Sequence, residues 1–195
     1  MEPTERQKEI IRAAFTLIAD KGIQDLTIKN LGKAIGVSEP AIYRHFASKS
    51  EILSGIVDEI YAIKKRTTAH SFESGADSPT RLRRFFLHQA AEFEAFPPLS
   101  IVLTPEDLFR SDRELLARVR ALMAETRAAV TALLAETGSG RASSASIDPE
   151  TGSLMMLGGF RMLVSTWRME RELGHDVRLT DLAESFIGQA LKLME

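Results

Sequence analysis

Residues 27–53 read Thr-Ile-Lys-Asn-Leu-Gly-Lys-Ala-Ile-Gly-Val-Ser-Glu-Pro-Ala-Ile-Tyr-Arg-His-Phe-Ala-Ser-Lys-Ser-Glu-Ile-Leu. Thr27 can cap a helix whose apolar positions Ile28, Leu31, Ala34 and Ile35 recur at helical spacing. Gly36 stands where that helix must stop, because glycine tolerates the left-handed conformation just past a helix end. Val37 follows as a buried plug. Ser38 can cap a second helix over 39–46, and Pro40 falls in its first turn, where a missing N–H is harmless. Ala41, Ile42 and Phe46 give this short helix an inward face, while Tyr43, Arg44 and His45 share its remaining surface. Ser48 starts a further helix with Lys49 in its first turn.

A helix, a tight turn and a short second helix can place that second helix in the DNA major groove. Residues near its start then meet base edges, and those around it meet phosphates. This geometry nominates Glu39, Ala41, Tyr43 and Arg44, with Arg44 the leading base reader because a guanidinium pairs well with guanine. The segment resembles the N-terminal DNA-binding domain of the TetR family of bacterial transcriptional regulators. Thr27, Leu31, Gly36, Val37, Ser38, Tyr43, His45, Phe46, Lys49 and Leu53 stand in that family's register, over about a quarter of the chain. The departures are Gly32 and Ile35, where the family has alanine, and Glu39-Pro40 in the turn. Gly32 is predicted to soften its helix by about 1 kcal/mol against alanine. The resemblance implies phosphate contacts for Thr27, Tyr43, His45 and Lys49, and Ser38 joins the DNA-facing set. A solvated helix face is the plainer reading of these positions, and His45 can equally pack beside Phe46.

The charge distribution agrees in sign but is weak. Residues 1–50 hold eight lysines and arginines against six acids, a net of +2, whereas the whole chain carries −2. A mildly basic head on an acidic remainder is consistent with DNA contact at one end. The absence of cysteine excludes disulfides, thiolate metal sites and a cysteine nucleophile, and fits a cytoplasmic protein. The polar start lacks a signal-peptide core, and no apolar run approaches the roughly 18 residues of a membrane span.

The periodicity predicts an all-α fold of about nine helices, with no sheet. The DNA-binding domain is assigned to 1–48, with its first helix over 4–20, and the effector-binding and dimerisation domain to 49–195. A long fourth helix over 49–71 links them. Further helices are expected over 80–96, in one or two short pieces over 99–109 with a start at 104–107, and over 113–137, 149–173 and 180–194. Loops are expected at 73–79 and at the Gly/Ser-rich 138–146.

Phe85, Gln89, Phe93, Val119 and Met123 offer walls for a mainly apolar pocket, with Gln89 either orienting a ligand or hydrogen-bonded within the core. The scattered methionines suit an adaptable pocket, though ordinary core is the plainer reading. His88 and Glu92 share a helix face, but with no third ligand they imply no metal, and nothing implies a cofactor. Lys64-Lys65-Arg66 suits the end of a helix better than a second DNA site. The last two helices carry more apolar surface than one face needs. Met156, Phe160, Leu163 and Trp167, with Phe186 and Ala190, are assigned to a homodimer interface, and Gly158-Gly159 allow close helix approach.

No nucleophile–base pair, phosphate loop or metal cluster points to an enzyme. The leading expectation is a repressor that binds a palindromic double-stranded operator as a homodimer and is released by a small apolar effector. The alternative is a nucleoid-organising or cell-division factor using the same DNA-binding head without promoter control.

Overall fold

Thr4 sets the first helix in place. Its hydroxyl accepts from the Gln7 backbone N–H at 3.2 Å, and the Gln7 side-chain oxygen accepts from the Thr4 N–H at 2.9 Å. This reciprocal box satisfies two donors that a helix start would otherwise leave open. The computed structural model describes residues 3–71, 75–103, 108–109, 112–138 and 147–194. Among these residues lie eight α-helices: α1 (Glu5–Lys21), α2 (Ile28–Ile35), α3 (Glu39–Tyr43), α4 (Lys49–Ser71), α5 (Ser78–Ala95), α6 (Arg113–Gly138), α7 (Pro149–Glu172) and α8 (Leu179–Met194). Two 3-10 segments, Ile23–Asp25 and Pro97–Leu103, complete the set, and no described residue is in a strand. The predicted helix start at 104–107 and most of the Gly/Ser-rich loop lie outside the described residues.

The chain divides into two compact units, Met1–Ile63 with Pro98–Arg120, and Lys64–Pro97 with Ala121–Glu195. In the first, Ile10, Ala14, Phe15, Leu31, Ile42, Ile52 and Ile56 are buried. Thr27 caps α2 through the Asn30 N–H at 3.1 Å, and Gly36 ends it in the left-handed conformation at φ 71°. The apolar face of α2 differs from the one predicted. Ala34 is exposed and Ile35 and Val37 are only half-buried, whereas Gly32 is buried.

Gly32 is buried because the chain doubles back onto it. A Cβ there would sit 2.7 Å from the Val37 carbonyl oxygen. The predicted softening by glycine is therefore outweighed by a steric need for it. Gly32→Ala is expected to destabilise by about 1–3 kcal/mol, the usual cost of overpacking, against the ~1 kcal/mol of helix propensity it gains. Denaturant unfolding measures this, and a variant as stable as the parent would show that the turn opens freely.

In the second unit, α5 is tied to both α6 and α8. Glu136 of α6 accepts from Ser78 at 2.8 Å and from Arg81. The Ser78 hydroxyl, then Arg81, hold the Glu136 carboxyl below its ordinary range. Arg83 meets Glu184 of α8 through one guanidinium edge, Nε and Nη2 each donating to a different carboxylate oxygen, and Glu94 accepts from the Thr180 N–H at 2.9 Å near the start of α8. Phe86 and Phe93 of α5 lie 5.2 and 6.3 Å from the Phe160 ring of α7. Asp77 and Asp148 cap α5 and α7. Hydrogen bonds from Thr80 and Thr151 respectively lower their pKa values.

Candidate nucleic-acid interface

Helix α3 is shorter than predicted, ending at Tyr43 instead of residue 46. The backbone tightens there, with the His45 N–H donating to the Ile42 carbonyl at 2.9 Å. A five-residue helix has too few internal bonds to hold itself. Its position comes from Ile42 and Phe46, both buried, and from Gln7, whose side-chain amide donates to the His45 carbonyl at 3.3 Å. Gln7 thus closes the α1 box and grips the end of the recognition segment. Sequence reading missed it, because a glutamine on a solvated helix carries no spacing signal.

The DNA-facing residues fall into two groups. Glu39, Tyr43 and Arg44 are exposed on one short segment, Tyr43 by 52%. Ser38 is exposed at the N-cap of α3 but makes no side-chain cap bond. Thr27 is exposed while its hydroxyl caps α2. Ala41, His45 and Lys49 are half-buried. Lys49 occupies the first position of α4, where the helix dipole disfavours a cation, and its ammonium donates to the Ile23 carbonyl at 3.1 Å. An anion placed between this ammonium and the helix N-terminus would be welcome to both. The start of α4 is closed by Ser48, which accepts from the Glu51 N–H at 3.2 Å, and by Glu51, which accepts from the Ala47 N–H at 2.5 Å.

The predicted pocket residues sit in less uniform surroundings. Phe85 and Phe93 are buried and Gln89, one turn from each on α5, is half-buried. Met123 is 51% exposed. Val119 is buried in the first unit, while the other four belong to the second. His88 and Glu92 form a 3.6 Å pair, and no group of three or more His, Asp or Glu among the described residues could hold a metal. Lys64 is engaged by Glu125 at 2.6 Å.

The residues assigned to the dimer interface also divide. Met156, Phe160 and Trp167 are buried within the chain itself, and the Trp167 indole donates to the Val177 carbonyl at 3.0 Å. Ala190 is buried as well, and Leu163 and Phe186 are half-buried. The exposed apolar positions of α7 are Leu154, Met155, Met162 and Met169. An apolar hollow of about 190 Å³ opens between α7 and α8, lined by Ile147, Met155, Met156, Phe186, Gln189, Ala190 and Leu193. The two glycines separate in role. A Cβ on Gly159 would meet the Phe186 ring at 2.5 Å, whereas Gly158 faces open space.

No helix among the described residues is long and apolar enough to cross a membrane. Residues 10–56 match the family described as bacterial regulatory proteins, tetR family. The nucleoid occlusion factor SlmA of Salmonella paratyphi A is 30% identical over 132 residues, 67% of either chain. The TetR family transcriptional regulator PfmR of Thermus thermophilus superposes with a TM-score of 0.74 at 25% identity, covering 95% of this chain and 98% of that one. AibR, solved in complex with isovaleryl coenzyme A and operator DNA, superposes with a TM-score of 0.77 at 17% identity over 95% and 97% of the two chains. With the helix–turn–helix built from these residues, the chain belongs to the TetR family of DNA-binding transcriptional regulators.

Proposed function

We propose that this regulator is a ligand-responsive repressor that binds a palindromic operator as a homodimer. The observation that carries the reading is the short segment of α3 and its C-cap Arg44, on which Glu39, Tyr43 and Arg44 are exposed while Ile42, Phe46 and the Gln7 contact hold it from behind. Arg44 reads a base edge. Thr27, Tyr43, His45 and Lys49 meet phosphates, Ser38 faces the DNA beside them, and Glu39 and Ala41 lie at the groove. The operator contacts belong to residues 1–48 and the start of α4, and effector binding and pairing to the remainder.

The effector carries an apolar body. AibR supports this class of ligand, since its structure holds an acyl-coenzyme A together with operator DNA. In this chain the region around Gln89, between Phe85 and Phe93 on α5, is the best-placed wall for such a ligand. Met123 lines it less readily because half its surface faces water.

A duplex enriched from a random-sequence pool by the wild-type protein tests the DNA reading. Arg44→Ala is expected to relax preference at one base pair per half-site, at a cost of about 1–3 kcal/mol. Tyr43→Ala is expected to weaken all sequences alike, because phosphate contacts carry no sequence information. A uniform loss with Arg44→Ala would make Arg44 a phosphate contact. The similarity to SlmA favours one second reading, nucleoid occlusion through dispersed sites. Genome-wide occupancy separates the two, with a few promoter palindromes on one side and many scattered sites on the other.

A further inference from the structure

Ser50, Ser54, Asp58 and Tyr61 recur along α4 at spacings that place them on one stripe of the helix. All four meet the first turns of α6, within the same compact unit as α1–α3. Ser50 donates to Asp112 at 2.9 Å. Arg118 donates to Ser54 at 2.9 Å and to Asp58 at 2.5 Å. The Tyr61 hydroxyl donates to the Arg118 carbonyl at 3.3 Å. Asp112 also caps α6 through the Leu115 N–H at 3.1 Å. That bond, and then the Ser50 hydroxyl, hold its carboxyl below the ordinary range.

This polar seam is a poor device for stability. The Asp58 side chain is 68% exposed, and ion pairs this wet contribute little to folding. It is a better device for setting direction. A guanidinium that engages two successive turns of a helix fixes that helix's rotation as well as its distance. The rotation of α4 matters because Lys49 is its first residue and the recognition segment ends immediately before it.

We propose that Arg118 is a positioning residue for DNA recognition, clasping α4 at Ser54 and Asp58 so that residues 98–120 work as part of the DNA-reading unit. The inference rests on the DNA-binding reading above. Without the clasp, α4 samples other rotations, and only a fraction of molecules present α3 and Lys49 correctly. Apparent affinity then falls by that fraction.

The test uses the full chain and the duplex that the wild-type protein enriches from a random pool. Arg118→Ala and Asp58→Ala are each expected to weaken binding about tenfold, with the slope of log K against log salt unchanged because no phosphate contact is removed. Helix content and melting temperature should stay near the parent's. The exchanged pair, Asp58→Arg with Arg118→Glu, should recover most of the affinity. Unchanged affinity in Arg118→Ala overturns the proposal. So does a salt slope reduced by about one, which would make Arg118 itself a phosphate contact. A loss that follows the melting temperature and is not recovered by the exchange also overturns it, as mere structural damage. A wild-type protein that enriches no duplex defeats the DNA-binding reading instead, and that result is reached before any variant is made.

Discussion

Phe160→Ala is expected to destabilise the folded chain by about 3–5 kcal/mol, the usual range for emptying an aromatic site in a core. Phe160 is 2% exposed, with the Phe86 and Phe93 rings against it. Its loss removes the ring that joins α7 to α5, and the tilted contacts with its neighbours go with it. Small domains are stable by only about 5–15 kcal/mol, so this single change consumes a large share. Denaturant unfolding by circular dichroism gives the number. The sequence places Phe160 at a homodimer interface, and that role makes a different forecast. An interfacial phenylalanine replaced by alanine would leave the unfolding free energy of the separated subunit near the parent's and raise the dimer dissociation constant. The burial favours the first outcome. A separated subunit as stable as the parent would return Phe160 to the interface.

Phe160 illustrates where sequence stopped being informative. Periodicity reports how much apolar surface a helix carries, and α7 carries more than one face needs. It does not report which apolar residues a second helix of the same chain will take. Here Met156, Phe160 and Trp167 are taken inside, while Leu154, Met155, Met162 and Met169 are left out. Gly158 and Gly159 were legible as a site of close approach, yet only Gly159 meets a neighbour in the subunit, the Phe186 ring. The helix–turn–helix was far more legible because its signals are local. Thr27, Gly36 and Pro40 act through cap, left-handed turn and first-turn geometry, which need no distant partner. Local signals still failed where a distant or neighbouring atom decides. Gly32 depends on the Val37 carbonyl, and the grip on the segment that follows α3 comes from Gln7 in the first turn of α1. The polar seam along α4 was invisible for the same reason. Ser50, Ser54 and Asp58 carry no local signal, and their partners Asp112 and Arg118 lie about 60 residues further along the chain.

If the exposed stripe of α7 pairs two copies, Met162→Asp should give folded monomers. Met155, Met162 and Met169 recur every seventh residue, Met162 is 66% exposed, and Gly158 leaves open space beside them. A face of this kind suits a helix from a second copy, and the hollow bounded by Met155, Phe186 and Leu193 extends it onto α8. In a monomer the new carboxylate would stand in water and cost little. In the pair it would be buried without a partner, at about 3–5 kcal/mol for each such charge. A twofold axis enters that cost twice, so the dimer dissociation constant should rise at least about a thousandfold. Sedimentation equilibrium across a dilution series reads the change directly, with circular dichroism as the check on folding. Gly158→Leu gives the same answer by bulk instead of charge, since a Cβ there has nothing within 4 Å in the subunit. Both variants should also lose the advantage of a palindrome over a single half-site, because two reading heads are no longer joined. A Met162→Asp protein that remains a dimer at parental affinity would exclude this face. The exposed methionines would then be left without the partner that explains them.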